Sequence, residues 1–499
     1  MSLPSTTSRR RFLAGSLGAA AAACSTGPAV KTGERRPNIL YFFPDQMRAQ
    51  AMGCMGNKDA KTPHIDRLAG EGVLFRNMLA NTPVCCPARS ILQTGQYCHV
   101  NGMVANDLRL REDRISIAEV LDKQGYRTGF IGKWHLDGGK RMPGYVPPGP
   151  RRQGYQFWAA NQCSHRHFDT QYFRDSPEPI PITRFEPEVW TDLGLEFLED
   201  RRKDEQPFFL MIQYGPPHNP YKAPPEYEAM FDPEKLTLRP NWKEGKPKVP
   251  GRKEIASYYA MIANLDDQVG RLVKALDEFG LAEDTIFVFN SDHGDMLGSH
   301  GMRLKRKPWE ESIRVPGIFR YPRKIKPGRQ ETALLSHVDI MPTLLALCGA
   351  PIPAGVQGVD RSRLVLGETA EGPESAYFQI FGPYNAGGVA DGWRGVRTQR
   401  YMYARYRDKP WLLYDLKEDP YEMNNLAEDP AAASLVSEMD GRINAWMKKT
   451  GDSWDKNWTH PVEDAGRLYR YETFYSVQDY LAWAKEHPEL DQAQRPKRR

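Results

Sequence analysis

Asn38-Ile39-Leu40-Tyr41-Phe42-Phe43-Pro44-Asp45 is a short apolar run that stops at a proline and an acid. It has the form of a buried strand in a parallel sheet. Similar runs recur at Thr128–Ile131, Phe208–Tyr214, Thr285–Asn290 and Val315–Arg320. Between them apolar residues return at helical spacing, in Ile115–Gln124, Thr191–Asp200 and Glu254–Phe279. Strands alternating with helices predict an α/β fold, a mostly parallel central sheet flanked by helices. Ligands of such sheets collect outside the carboxyl ends of the strands. The polar residues that follow each run are therefore the first candidates for a site.

The rest of the composition agrees with a folded enzyme-sized chain. Its 499 residues are 40% apolar and 11% aromatic, enough to bury a large core. Gly and Pro together stay at about 16%, below the level of a low-complexity chain. The formal charge is +5, three units of which come from Arg9, Arg10 and Arg11. That balance gives no footprint for nucleic acid. Seven cysteines in this length make no disulfide scaffold, and the odd count leaves at least one outside any intramolecular pair. A shift in composition near Gly367–Glu374 separates residues 37–370 from residues 371–499. Beyond it, Ala376–Phe381, Trp393–Arg397, Tyr401–Tyr406 and Trp411–Tyr414 read as short strands, and Ala432–Lys448 as an amphipathic helix. They predict a smaller C-terminal α+β subdomain with a polar tail.

Residues 1–24 resemble an export signal. Ser8-Arg9-Arg10-Arg11-Phe12-Leu13 is similar to a twin-arginine motif, and the apolar run Phe12–Ala23 is too short to span a bilayer. Cys24 after three alanines resembles a lipoprotein acceptor, although Ala21 stands where Leu is usual. Residues 25–36 form a polar linker. The expected location is periplasmic, cell-surface or secreted, with membrane contact only through a lipid anchor at Cys24.

Two strand ends carry similar pairs. Asp45-Gln46 follows the first run, and Asp292-His293 follows Ile286–Ser291. Either pair alone suits a turn or a helix cap. Together they offer two carboxylates, an amide oxygen and an imidazole, a donor set for a divalent cation. The segment Val84-Cys85-Cys86-Pro87-Ala88-Arg89, with Thr94-Gly95 beyond it, supplies a nucleophile. Pro87 suits a first helical turn, which puts Cys85 at a helix N-terminus where the dipole favours negative charge. Arg89, four residues on, comes round to the same side. Cysteine, dipole and guanidinium together suit an oxyanion substrate; a buried structural cysteine is the plainer alternative.

These segments resemble the type I sulfatase family, on the alkaline-phosphatase-like fold. Its signature Cys-x-Pro-Ser/Ala-Arg with a later Thr-Gly matches Cys85, Pro87, Ala88, Arg89, Thr94 and Gly95. A second signature matches Gly125-Tyr126-Arg127-Thr128 and Gly132-Lys133-Trp134-His135-Leu136. Pro217-His218, Ser291-Asp292-His293-Gly294, and Lys305 before Trp309-Glu310-Glu311-Ser312 follow in the family's order. Leu413-Tyr414-Asp415-Leu416 and Glu422-Met423-Asn424-Asn425-Leu426 complete it.

The resemblance implies that a formylglycine-generating enzyme oxidises Cys85 to Cα-formylglycine. One hydroxyl of the hydrated aldehyde would attack sulfur, and the second would later expel sulfate, splitting one hard step into two. A cation held by Asp45, Gln46, Cys85, Asp292 and His293 would neutralise charge. Arg89 would orient the formylglycine, and Lys133 would bind sulfate. His135 would take a proton from the sulfated diol. His218 and Lys305 would bind sulfate and protonate the leaving oxygen; Lys307 is the local rival of Lys305.

Much of the family has Asp-Asp and Asp-Asn at the two pairs, whereas phosphonate monoesterases and choline-sulfatase-like members share Asp-Gln and Asp-His. Family frequency puts Ca²⁺ first, with Mn²⁺ or Mg²⁺ as alternatives suited to an imidazole ligand. The expected substrate is a sulfated polysaccharide or oligosaccharide. An anionic sugar subsite is expected from Arg151, Arg152, His165 and His167, the last two within Asn161–His167 after the Lys133-His135 strand, and from Trp393 and Arg394 across the cleft. The alternatives are a phosphonate monoester or phosphodiester hydrolase on the same scaffold, and an inactive glycan-binding relative.

Overall fold

The computed structural model describes residues 35–138, 142–244, 248–381, 392–454 and 486. The export and lipid-anchor expectations, which rest on Arg9–Arg11 and Cys24, lie outside the described residues.

The opening run is strand β1 (Asn38–Pro44), buried along its whole length. Its side chains alternate between two cores. Ile39, Tyr41 and Phe43 pack with the helices Cys85–Thr94 and His337–Leu347, and Leu40 and Phe42 with the helices Glu186–Arg201 and Arg252–Glu278. Each large apolar side chain buried in this way contributes about 1.5–3 kcal/mol relative to exposure. This two-sided burial is why no polar residue interrupts the run.

Strand β1 lies between β7 (Phe208–Tyr214) and β8 (Thr285–Asn290), parallel to both. Beyond β7 come β3 (Arg127–Lys133) and β4 (Phe157–Asn161), again in parallel. Beyond β8, β10 (Gly317–Arg320) runs antiparallel to β8 and to β2 (Val73–Leu79), and β11 (Arg329–Ser336) lies parallel to β2 at the edge. The order is β11-β2-β10-β8-β1-β7-β3-β4. The run expected at Val315–Arg320 is two strands. Pro316 has no N–H for a ladder and divides β9 (Arg314–Val315), paired with β2, from β10. A short hairpin, β5 (Thr170–Tyr172) with β6 (Ile180–Ile182), follows β4.

The C-terminal part is an antiparallel sheet of β12 (Ala376–Ile380), β13 (Trp393–Arg397), β14 (Tyr401–Arg405) and β15 (Pro410–Asp415), with the helix Ala433–Thr450. Phe378, Ile380 and Trp393 share a core with Val84, Trp309 and Ile313. Asn81 joins it further, with its amide nitrogen 2.9 Å from the Tyr377 carbonyl. The small sheet thus braces the loop that enters the Cys85 helix.

Candidate active site

Because β1 and β8 are adjacent and parallel, their carboxyl ends deliver Asp45-Gln46 and Asp292-His293 to one place. Oδ1 of Asp292 accepts the backbone N–H groups of Gln46 and His293, both at 2.9 Å. The helix Cys85–Thr94 aims its N-terminus at the same point. Sγ of Cys85 lies 3.2 Å from Nε2 of His293 and 4.0 Å from Oδ1 of Asp45. Cys86 turns away: its backbone N–H bonds Asn106 and its sulfur faces the backbone N–H of Asp107. Arg89, one helical turn on, bridges the carboxylates through Nη2, 2.9 Å from Oδ2 of Asp45 and 3.0 Å from Oδ2 of Asp292. Its Nη1 donates to the Lys133 carbonyl and to the Gln213 side chain at the end of β7. All these groups are fully buried.

Each carboxylate therefore gives one oxygen to Arg89 and turns the other inward. His293 Nε2 is 3.7 Å from Asp45 Oδ1 and 3.6 Å from Asp292 Oδ1. His293 Nδ1 faces the Gly294 carbonyl at 3.0 Å, so it carries a proton and Nε2 is the nitrogen turned toward the centre. Asp45, Cys85, Asp292 and His293 place ligand atoms within 4.8 Å of one another. Two carboxylate oxygens, an imidazole nitrogen and the Cys85 side chain fit a divalent cation. Gln46 is turned differently from its expected ligand role. Its Oε1 accepts from Nζ of Lys305 at 2.5 Å, and its Nε2 donates to Asp295 at 2.7 Å.

Strand β3 delivers Lys133, whose Nζ is 2.7 Å from Oδ2 of Asp45. Gly132 makes this possible. It holds φ of +100°, and a Cβ there would lie 1.9 Å from the Gln213 carbonyl on β7. Gln46, Asp107 and His135 also adopt left-handed backbone, at φ of 70°, 73° and 56°. Such conformations are costly outside glycine and gather where a site over-determines them. His135 lies 3.5 Å from the Asp107 carboxylate.

The electrostatics are those of an anion site. Burial pushes the Cys85 thiol up, but Lys305 and His293 outweigh it and hold the thiol well below its ordinary value. Burial and Cys85 oppose ionisation of Asp45, yet Lys133 and Arg89 keep it well below the usual carboxylate range. Burial likewise disfavours charge on His135, while the neighbouring Cys163 and Cys86 raise it well above an ordinary histidine. His218 goes the other way. Burial and the Lys305 ammonium bring it down to about 3. Its Nδ1 lies 2.6 Å from the Asn219 carbonyl, so Nε2 accepts from Lys305 Nζ at 2.8 Å. Lys305 is the lysine in the site, whereas Lys307 reaches the Lys305 carbonyl at 3.4 Å, and burial and Arg306 bring it down to about 8.

The expected sugar subsite divides. Asn161 ends β4, parallel to β3, so the segment after it enters the site by the same carboxyl-end rule. His165 stacks on His218, ring centroids 4.4 Å apart and planes 4° apart. The other expectations are corrected. His167 is buried with both ring nitrogens engaged, by Glu186 and the His218 carbonyl. Arg151 pairs with Asp137, and buried Arg152 with Asp175. Trp393 is buried and donates to the Arg306 carbonyl. Arg394 is fully buried, 2.5 Å from Oδ2 of Asp452. Each of these groups is already engaged by another part of the chain.

Sequence reasoning missed Gln213, Asp107, Glu186 and Asp295. Gln213 was visible as the lone amide near the end of an apolar run. Asp295, which accepts from Gln46 and from Tyr221 at 2.6 Å, stood three residues after Asp292. Asp107 and Glu186 had no local signal, since only the fold brings them to their histidines.

Comparison with known proteins agrees with this geometry. The family model described as Sulfatase matches residues 37–350, and that of the N-sulphoglucosamine sulphohydrolase C-terminal region matches residues 298–449. An ulvan-active sulfatase of Formosa agariphila is 38% identical over 424 residues, covering 84% of this chain and 82% of its own. An endo-4-O-sulfatase of Bacteroides thetaiotaomicron is 31% identical, covering 87% and 96%. The crystal structure of a Bacteroides fragilis sulfatase superposes with a TM-score of 0.78 at 32% identity, over 84% of this chain and 97% of that one. The chain belongs to the sulfatase family of the alkaline-phosphatase-like superfamily and is a sulfuric ester hydrolase, in a family that implies a metal ion and a formylglycine.

Proposed function

We propose that the chain removes sulfate from a sulfated polysaccharide or its oligosaccharides, with the nucleophile made from Cys85. The observation that carries this reading is the meeting of Cys85, at a helix N-terminus, with Asp45, Asp292 and His293 on one side and the Lys305–His218 pair on the other. The ulvan activity of the Formosa relative supports a polysaccharide.

Asp45, Asp292 and His293 would hold the cation, with Ca²⁺ first by family frequency and Mn²⁺ or Mg²⁺ as alternatives. The cation supplies Lewis-acid neutralisation of charge at sulfate, and formylglycine supplies the attacking hydroxyl. Arg89 fixes both carboxylates and so the direction of their inward oxygens, of which Oδ1 of Asp292 is also held by two backbone N–H groups. Lys133 and Lys305 give the sulfate two ammonium partners. His135, beside Asp107, takes a proton from the Cys85 side in its neutral form, the form that burial favours and the neighbouring Cys163 and Cys86 oppose. On the opposite side Lys305 holds a proton against His218 Nε2, ready for the departing alcohol oxygen. His165 stacks behind His218 and lines the approach.

The twin-arginine segment supports export to the periplasm or cell surface, and Cys24 supports a lipid anchor. A formylglycine-generating enzyme is the partner this reading requires.

The test is mass spectrometry of the Cys85 peptide beside turnover of three substrates. The peptide is expected to have lost one sulfur and two hydrogens and gained one oxygen. Sulfate is expected from a sulfated polysaccharide, with 4-nitrophenyl sulfate cleaved faster than a phenyl phosphonate monoester. An unmodified thiol in active enzyme, or faster phosphonate cleavage, sinks the reading.

A further inference from the structure

We propose that His167 and Glu186 form a buried dyad that positions His218, and through it the Lys305 ammonium that protonates the leaving group. The inference rests on the role given to His218 above.

Nε2 of His167 is 2.6 Å from the carbonyl oxygen of His218, and Nδ1 is 2.8 Å from Oε1 of Glu186. A carbonyl has no proton to give, so His167 Nε2 is the donor. Nδ1 and the Glu186 carboxylate then share one proton, which makes the pair neutral as a whole. Glu186 is itself held twice. Its Oε2 accepts from Trp190 Nε1 at 3.2 Å, one turn along the same helix, and its backbone N–H donates to the His167 carbonyl at 2.9 Å. His167 is 3% exposed, Glu186 2% and His218 6%, so water does not compete for these bonds.

The loop meets the dyad at a second point. A Cβ on Gly215 would stand 2.1 Å from Glu186 Oε1 and 3.2 Å from His167 Nδ1. Only a residue without a side chain lets the loop come this close. The His218 backbone N–H donates back to the Gly215 carbonyl at 3.1 Å. Residues 215–218 are therefore clamped at both ends by groups that do not touch the His218 ring. The ring itself is fixed by the Asn219 carbonyl at Nδ1, by His165 on its face and by Lys305 at Nε2.

A grip on the main chain sets where Nε2 points without altering its chemistry. Proton transfer needs donor and acceptor at hydrogen-bond distance, so a small displacement costs rate wherever the leaving oxygen needs the proton. It costs little where the leaving group departs as a stable anion. His167 and Glu186 are thus positioning residues, and leaving-group dependence distinguishes them from residues that merely stabilise the fold.

The experiment compares phenyl sulfate, a poor leaving group, with 4-nitrophenyl sulfate on the formylglycine-bearing enzyme. Glu186→Gln keeps the shape and replaces the shared proton with an amide hydrogen bond; His167→Phe removes the donor, and His167→Gln restores one. Glu186→Gln and His167→Phe are expected to lower kcat/KM on phenyl sulfate by about 10²-fold and on 4-nitrophenyl sulfate only a few-fold, with His167→Gln recovering part of the loss. If His167→Phe fails to fold, Glu186→Gln and Gly215→Ala carry the test. Equal losses on both substrates, or none on either, overturn the proposal. His218→Ala is the control. If it too shows no leaving-group dependence, the acid role of the Lys305–His218 pair is wrong; if it does and the dyad variants do not, only the dyad proposal fails.

Discussion

Nζ of Lys305 stands 2.8 Å from Nε2 of His218, and burial together with that ammonium brings the imidazole down to about 3. The proton for the leaving oxygen therefore rests on Lys305, with His218 as its acceptor. The wild-type kcat/KM profile is expected to lack an acid-side step from His218 near the ordinary histidine value of about 6.5. Lys305→Ala removes the proton carrier and one of the pressures that keep His218 neutral. Its rate on phenyl sulfate is expected to fall about 10²–10⁴-fold at neutral pH and to rise again as the solution is acidified and His218 gains the proton. A profile of kcat/KM against pH checks this; a variant equally slow at every pH contradicts it.

The same burial makes the fold acid-sensitive. His218 and His337 are brought down to about 3, and His165 to about 4, with burial the largest cause in each. Unfolding releases each to an ordinary value near 6.5, so between pH 6 and 4 the unfolded chain binds more protons than the folded one. Stability then falls as pH falls. Three such groups give at most about 4 kcal/mol per pH unit in that window. Denaturant midpoints at pH 7, 6, 5 and 4 measure it. His337, with Nε2 between the Asn290 side chain and the Ser291 carbonyl at 3.1 and 3.0 Å, is the group to replace. His337→Gln is expected to flatten the slope.

Arg89 occupies Oδ2 of both Asp45 and Asp292, which turns the Oδ1 atoms toward His293 Nε2 and the cation site. Chelation is expected to abolish turnover and to lower stability, because a ligand at 100 times its Kd contributes about 2.7 kcal/mol to the folded state. Thermal melts with and without EDTA, followed by restoration with Ca²⁺, Mn²⁺ or Mg²⁺, read both effects. His293→Asn replaces the nitrogen donor with oxygen and is expected to shift restoration toward Ca²⁺ over Mn²⁺. An unchanged metal order would show that His293 does not contact the ion.

Much of this was legible because the chemistry follows strands that the sequence marks clearly. Runs buried on both faces, such as β1 and β8, carry no polar interruption and announce their own ends, where Asp45 and Asp292 stand. Strands β2, β4 and β11 were not seen: Arg76 and Asn77 interrupt β2, and the first half of β11, Arg329–Thr332, is polar and partly exposed. The site divided along the same line. Residues next to a strand end or inside a motif were found, as with Lys133, His135 and Cys85. Groups whose role depends on a distant partner were misplaced. His167 reads as a loop ligand until Glu186 arrives from a helix, and Arg394 as a substrate arm until Asp452 closes on it.

That last pair gives a prediction opposite to the one its sequence suggests. Arg394 reaches both oxygens of Asp452, at 2.5 and 3.2 Å, and its guanidinium lies over the Phe381 and Trp454 rings. Asp452 also accepts from Tyr377 at 2.7 Å and Gln379 at 2.8 Å. Removing the cation leaves a buried carboxylate with only neutral donors, which costs about 3–5 kcal/mol. Arg394→Met is therefore expected to lower the unfolding midpoint markedly while kcat/KM per folded molecule stays within a few-fold of wild type. Replacing both partners, Arg394→Met with Asp452→Leu, is expected to recover part of the stability because no charge is left stranded. Selective loss of turnover on a sulfated oligosaccharide, at unchanged stability, would instead return Arg394 to the substrate cleft.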